Sequence, residues 1–265
     1  GTRVRSITGD LQAGFCLDTQ NDLGAEQWNC RVAVIAYGKQ ERLRDHDAGP
    51  AKSLKPGFVG LKLHIDGELK GAAIQLHAFP GGYAGLGRVE GGRFNLCLLV
   101  EGETFRAHGA NRTVLGNEMM NCNQLLHSRL SGFSLDWKKA IAVGNLRFGI
   151  RHWFQGQIPY VGDAAAAVTP LCGDGMAMAL EGGSLLAPLV RSFCARQLEA
   201  SEFLRRYHLS CRRTFAARLR WGMLLQTVLL RPALASPCLA LLAKMPSLGR
   251  YLVERTRGSV ATPRV

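Results

Sequence analysis

The stretch YVGDAAAAVTPLCGDGMAMALEGG, residues Tyr160–Gly183, decides how this chain is read. It places an aspartate just past an apolar strand, adds alanines and a proline, and then runs a Gly-Asp-Gly loop directly into an apolar helix. An aspartate beyond the C-terminal end of a strand sits where open α/β sheets bind ligands, and its carboxylate suits hydroxyl donors. Asp163 holds that place. The alanines after it keep the backbone close to whatever passes over it, Pro170 stiffens the approach, and Gly173 and Gly175 let the loop come near a flat ligand. A helix beginning near Asp174 or Met176 turns its unpaired N–H groups and the positive end of its dipole toward such a ligand. A plain strand-to-helix connection with Asp174 as N-cap is the alternative.

Working outward, RVAVIAYG (31–38) reads as a buried parallel strand, and TRVRSIT (2–8) with GFCLDT (14–19) reads as a strand pair. Residues 39–57 break the pattern with charges, Gly and Pro, as a connection between domains does. From Phe58 to Val100, DGE at 66–68, PGG at 80–82 and EGG at 90–92 separate four strand-like runs, which predicts a four-stranded antiparallel meander. Ile74, Leu76 and Ala78 fall on one face, with Gln75, His77 and Phe79 on the other, and one face is free to cover a ligand. Residues 103–145 are mixed, with helix predicted around Arg112–Ser131, before strand-like sequence returns at LRFGIRHWFQGQIPYVGDA (146–164). Beyond the Gly-Asp-Gly loop, Met176, Leu180, Gly183, Leu186, Leu189, Val190 and Phe193 recur at helical spacing.

At 265 residues, 47% hydrophobic and 20% charged, the chain has the composition of a soluble globular protein with one large domain or two modest ones. Its eight cysteines form no CxxC and its seven histidines no HExxH, and no secretory leader is read at the start. Reduced thiols, no metal site and a cytoplasmic location follow as expectations. The net charge of +13 is uneven: from Val190 onward 14 Lys and Arg face three Glu, so +11 of it lies in the tail. Such a tail suits a solvated helix face, nucleic acid, anionic lipid or an acidic partner. Nucleic acid is set aside because the arginines lack aromatic interleaving or any known binding module. Trp221–Ala243 is divided by Pro232 and Pro237 into pieces too short to cross a bilayer, which leaves two packed helices or a segment lying on a membrane surface.

VGDAAAAVTPLCGDGMAMAL (161–180) resembles the second flavin-binding motif of the p-hydroxybenzoate hydroxylase superfamily, with strand, Asp, Pro and glycines in register. LHAFPGGYAGLGRVEGGRFNLCLLV (76–100) resembles the substrate-domain sheet of its geranylgeranyl-reductase-like branch, RVAVIAYGKQERLR (31–44) stands where the middle motif is expected, and RTRG (255–258) is similar to the end of such chains. The resemblance implies a mixed α/β fold in which residues 1–50 and 151–190 belong to an FAD-binding Rossmann-like domain. Residues 51–150 would form an inserted antiparallel substrate domain, and 191–265 basic C-terminal helices. It implies that Gly162 and Asp163 contact the ribityl and pyrophosphate region of FAD. Pro170 and residues 171–176, among them Gly173, Asp174, Gly175 and Met176, would border the isoalloxazine ring.

The sequence also departs from the family pattern. No GxGxxG follows a strand, so the chain is expected to lack the segment that holds the ADP half of FAD. Tyr37 stands where an aspartate is usual, which bears on any contact with a nicotinamide reductant, and Ala166 stands where many relatives have histidine. WFQGQIP (153–159) has a superficial likeness to a flavin-halogenase motif but lacks its second tryptophan, and halogenation is set aside. The resulting expectation is an FAD-dependent reductase or monooxygenase acting on a small apolar substrate, prenyl or polyketide-derived, with NAD(P)H as candidate reductant. His77, Phe79, Tyr83 and Arg88 are its candidate substrate contacts, and no residue stands out as acid or base. The competing expectation is a flavoprotein fragment without catalysis of its own, held peripherally at the inner membrane face by its basic helices.

Overall fold

The computed structural model describes residues 1–39, 57–67 and 74–257. In chain order these form β1 (Arg3–Asp10), β2 (Gly14–Asn21), β3 (Gly24–Cys30), β4 (Phe58–Ile65), β5 (Gln75–Phe79), β6 (Gly82–Arg88) and β7 (Phe94–Glu101). Helices α1 (Gly102–Ala107), α2 (Arg112–Cys122) and α3 (Gln124–Leu130) follow, then β8 (Ile141–Leu146) and the two-residue strands β9 (Gly149–Ile150), β10 (Phe154–Gln155), β11 (Ile158–Pro159) and β12 (Ala166–Ala167). The chain continues through α4 (Gly175–Cys194), α5 (Ala200–Leu229), α6 (Pro232–Lys244) and α7 (Pro246–Thr256). It divides into two compact units, one from the described residues of 1–52, 148–223 and 250–265, the other from those of 53–147 and 224–249.

In the first unit, β1, β2 and β3 make an antiparallel sheet. Asp10 Oδ1 accepts from the amides of Gln12 and Ala13, both at 2.7 Å, and so shapes the β1–β2 turn. The strand pair of the sequence reading is present. The third strand was not legible, because GAEQWNC has an almost wholly exposed polar face and no apolar alternation. The run around Ile35 is parallel to its neighbour only through a single bridge to Tyr160, closed by Ile35 N–H to Pro159 O and Val161 N–H to Ile35 O, both 2.9 Å. Residues 40–44 of the middle motif, residues 40–56 of the connection read at 39–57 and the final Gly258 of RTRG lie outside the described residues.

Helices α4 and α5 build the core of this unit. Phe203, Tyr207, Cys211, Phe215 and Leu219 repeat every four residues down α5 and are all buried, against Met178, Leu186 and Phe193 of α4. Trp153 stacks on Phe215 with ring centroids 5.8 Å apart, so this tryptophan is core packing.

In the second unit, the sheet order is β5-β6-β7-β4-β8, and every neighbouring pair is antiparallel. This corrects the simple meander: β4 pairs with β7, not with β5, and β8 adds a fifth strand. The Gly82–Arg88 and Phe94–Glu101 runs are paired in sequence order as read, and the turn between β5 and β6 uses Pro80 and Gly81, the latter at φ +72°. Of the DGE turn, Glu68 lies outside the described residues. The helix read over 112–131 is two, because Asn123 leaves helical geometry, caps α3 through Oδ1 to Leu126 N–H (2.9 Å), and donates Nδ2–H to Ala78 O (3.0 Å). Leu115, Met119, Leu126, Leu130 and Trp137 cover the sheet face that carries Leu63, Leu86, Leu96 and Val100.

Candidate functional site

Residues 160–176 run from the core to an exposed loop. Tyr160 is buried, and its carbonyl accepts a 2.6 Å hydrogen bond from the Tyr207 hydroxyl of α5, whose ionisation burial pushes far up. The chain then leaves extended geometry. Gly162 takes φ +61° and opens a one-turn 3-10 helix, Gly162–Ala164, so Asp163 sits on this turn and not at the tip of a strand. A side chain at Gly162 would put a Cβ 3.2 Å from the Ala179 Cβ of α4, and a Cβ at Gly182 would lie 3.9 Å from Gly162 N. Small residues on both sides let α4 press against the Gly-Asp turn. The void beneath, lined by Trp153, Met178 and Tyr207 among others, is only about 10 Å³. A ligand at the Gly-Asp turn therefore lies over its outer surface.

Asp163 is one-third exposed, and its carboxylate stands 3.8 Å from Lys39 Nζ, which also lies 5.7 Å from the centre of the Phe148 ring. Alanines 164–167 and Thr169 are buried, while Pro170 begins a second 3-10 turn, Pro170–Cys172, that ends at Gly173 with φ +66°. Nothing lies within 4 Å of a Cβ built at Gly173, so this glycine serves the backbone conformation and leaves open space in front of it. Helix α4 begins at Gly175 as the sequence indicates. Its Asp174 makes no capping hydrogen bond and no acid occupies the first turn, so the N-terminal amides are not covered by a side chain. Met176 and Leu180, one turn apart, are 85% and 75% exposed and form an apolar shelf beside those amides.

The reason Asp174 does not cap is Arg218. This arginine of α5 is 6% exposed, donates from Nη1 to Glu181 Oε2 at 3.0 Å, and holds the same nitrogen 3.0 Å from Asp174 Oδ2. The Asp174 contact is an ion pair without hydrogen-bond geometry, which leaves Oδ2 a buried acceptor lacking a donor. One turn along α5, Gly222 backs the same loop: a Cβ there would sit 2.8 Å from Cys172 Sγ and 3.1 Å from Thr169 Cγ2. Burial, and then the Asp174 charge, push the Cys172 thiol up to about 11. Arg218, Gly222 and Lys39 escaped the sequence reading, since no spacing rule links them to residues 160–176. The one hint was that Glu181 places a carboxylate within an otherwise apolar helix.

The structure brings Gly162, Asp163, Pro170, Gly173, Asp174, Gly175 and Met176 into one unit. His77, Phe79, Tyr83 and Arg88 belong to the other, on the β5–β6 hairpin, and do not share a face. His77 is paired with Ala84, and it and Phe79 point to the side covered by α2 and α3. Burial, and then the charge of Arg129, lower the His77 pKa. Arg88 lies at the strand end with its guanidinium 5.9 Å from the Phe94 ring centre. Tyr83 falls on the opposite side with Leu76, Gly85 and Leu99. Among the described residues no group of His, Cys, Asp and Glu could hold a metal ion.

No protein-family model and no curated protein matches the sequence. The likeness to solved structures is clear. The flavin-dependent brominase Bmp2 superposes with a TM-score of 0.74 at 12% identity, over 96% of this chain and 64% of that one. The myxobacterial chondrochloren halogenase CndH, an FAD-dependent halogenase, gives 0.66 at 17% identity over 80% and 51%. PqsL of Pseudomonas aeruginosa, described as a probable FAD-dependent monooxygenase, gives 0.61 at 20% over 89% and 66%. This chain has the fold of FAD-dependent halogenases and monooxygenases. It spans about half the length of CndH and about two thirds of PqsL and Bmp2. At these identities the likeness carries the fold alone, and the mixed α/β architecture with its antiparallel sheets agrees with it.

Proposed function

We propose that the chain belongs to an FAD-dependent oxidoreductase of the geranylgeranyl-reductase-like branch, acting in the cytoplasm on a small apolar substrate of prenyl or polyketide origin. The observation that carries this reading is the run from Gly162 to Met176: two glycines at positive φ, an outward carboxylate at Asp163, and an uncapped helix start beside exposed Met176, within a fold shared with FAD-dependent enzymes.

The residues fit the cofactor. Asp163 would accept from ribityl hydroxyls, with Gly162 giving close backbone approach. The Pro170–Met176 loop, with Gly173, Asp174 and Gly175, would border the ring, which the open space in front of Gly173 admits. The amides at the head of α4 favour negative charge, which a reduced flavin carries at its N1–C2=O edge. When bound, the flavin supplies hydride transfer or oxygen activation, with NAD(P)H as candidate reductant. The protein's part is to position and to exclude water. On the hairpin, Tyr83 is buried on the face away from α2 and α3 and His77 and Phe79 are buried on the other, so all three would act on a substrate by shaping the strands.

A second reading, a flavoprotein relative without catalysis, is favoured by one contact. The Lys39–Asp163 ion pair engages the carboxylate that the first reading assigns to the ribityl chain. Visible absorption of the purified chain, and of its Asp163→Ala variant, separates the two. Flavin bands that disappear in Asp163→Ala support the first reading. Flavin-free protein in both preparations, even after incubation with FAD, overturns it.

A further inference from the structure

Helix α6 has a surface that neither the flavin reading nor the fold uses. Its sequence, PALASPCLALLAK, is apolar from end to end, yet Ala235 is its one buried residue. Leu234, Cys238, Leu241 and the following Met245 recur at four, three and four residues, and all four are exposed. That spacing places them on one face of the helix. No charge interrupts the face. Arg231 precedes the helix and Lys244 ends it.

The surrounding sequence carries a charge signature that points to one kind of partner. Within residues 224–249, the part of the chain that shares a unit with α6, the charged residues are Arg231 and Lys244, with no Asp or Glu. A second copy of this chain would bring the same positive charge to the contact and be repelled. A nucleic acid would use these cations but leave the leucines without a role. An anionic bilayer uses both, since acyl chains accept the Leu234–Met245 face while lipid phosphates accept the flanking cations. The helix lies on such a surface and does not cross it: 13 residues extend roughly 20 Å, short of the roughly 30 Å hydrocarbon core. No single helix among the described residues is long and apolar enough to span a membrane.

We propose that α6 is a peripheral membrane anchor, seating Leu234, Cys238, Leu241 and Met245 in the headgroup boundary of an anionic bilayer, with Arg231 and Lys244 on the lipid phosphates. The inference does not rest on flavin binding.

Flotation of the full chain with phosphatidylcholine vesicles, with and without phosphatidylglycerol, tests it. Binding should require the anionic lipid and weaken with salt as charges are screened. Leu234→Ser with Leu241→Ser should weaken it roughly tenfold or more for each leucine withdrawn from the boundary. Arg231→Gln with Lys244→Gln should weaken it about fivefold for each charge. The substituted side chains are exposed, so the melting temperature should not change, and a melt run in parallel checks this. Three results would overturn the proposal: equal partition with neutral and anionic vesicles, no loss of binding in the leucine variant, or a chain that dimerises through α6, with the leucine variant monomeric. Flavin content, measured on the same samples, reports separately on the proposed function.

Discussion

Arg218 of α5 and Asp174 at the head of α4 lie 3.0 Å apart in the interior of the first unit, and the same arginine nitrogen bonds Glu181. One cation thus ties the start of the Gly-Asp-Gly helix to the helix behind it. Its single positive charge offsets one of the two carboxylates, so the cluster keeps a net charge of −1.

Replacing that cation should be costly. Arg218→Met leaves Asp174 buried without a counter-charge, and the loss should be about 3 kcal/mol in urea unfolding. Asp174→Asn in the same chain should recover part of it, while Arg218→Lys, which keeps the charge at a site where one nitrogen meets both carboxylates, should lose less than Arg218→Met. A single-variant loss below about 0.5 kcal/mol would mean that water already solvates the pair.

The two positive-φ glycines should separate strain from crowding. Gly173→Ala meets open space and should cost about 1 kcal/mol for its backbone conformation alone. Gly162→Val adds contact with Ala179 to the same conformational cost and should lose about 2–3 kcal/mol, with more for the backbone shift it forces. Thermal melts of the two variants side by side check the ranking.

Acid should weaken the second unit through His77. Its native pKa is lowered, so below the ordinary value of 6.5 the unfolded chain takes up a proton that the buried ring resists. Stability is therefore full above that value and falls with decreasing pH. Urea midpoints at pH 7 and pH 5 should differ less in His77→Gln than in the parent, and an unchanged difference would assign the acid sensitivity to other groups.

Thiol chemistry should sort the cysteines by place. Cys122, Cys194 and Cys238 are exposed and should react with a disulfide reagent in the native protein, whereas Cys172 and Cys211, buried and both pushed up to about 11, should react only after unfolding. The same two thiols should lower stability as pH rises above 9.0, the ordinary thiol value, because the unfolded chain loses its protons first. Counting modified thiols with and without denaturant, then repeating unfolding in alkali, measures both.

Much of the candidate site is legible residue by residue. The start of α4 at Gly175, the positive φ of Gly173 and the turn at Pro80–Gly81 follow from glycine, proline and apolar spacing. The face assignment along β5 is likewise readable by alternation. Tyr83 is not: its side depends on Phe79 pairing with Gly82 across the hairpin, and that register places it opposite His77 and Phe79. The bend that removes Asp163 from a strand end also escapes, because Gly162 permits either conformation and close packing of Ala179 selects one.

By itself, then, the sequence determined what local backbone preference and short periodicity control: where helices begin, where turns need glycine, which stripes are apolar and how the charge gathers in the tail. The tertiary structure alone decided that β4 pairs with β7, that Lys39 meets Asp163, and that Arg218 bridges Asp174 and Glu181. These contacts join residues far apart in the chain, and their free energy comes from burial and charge pairing that exist only once the intervening segments have packed.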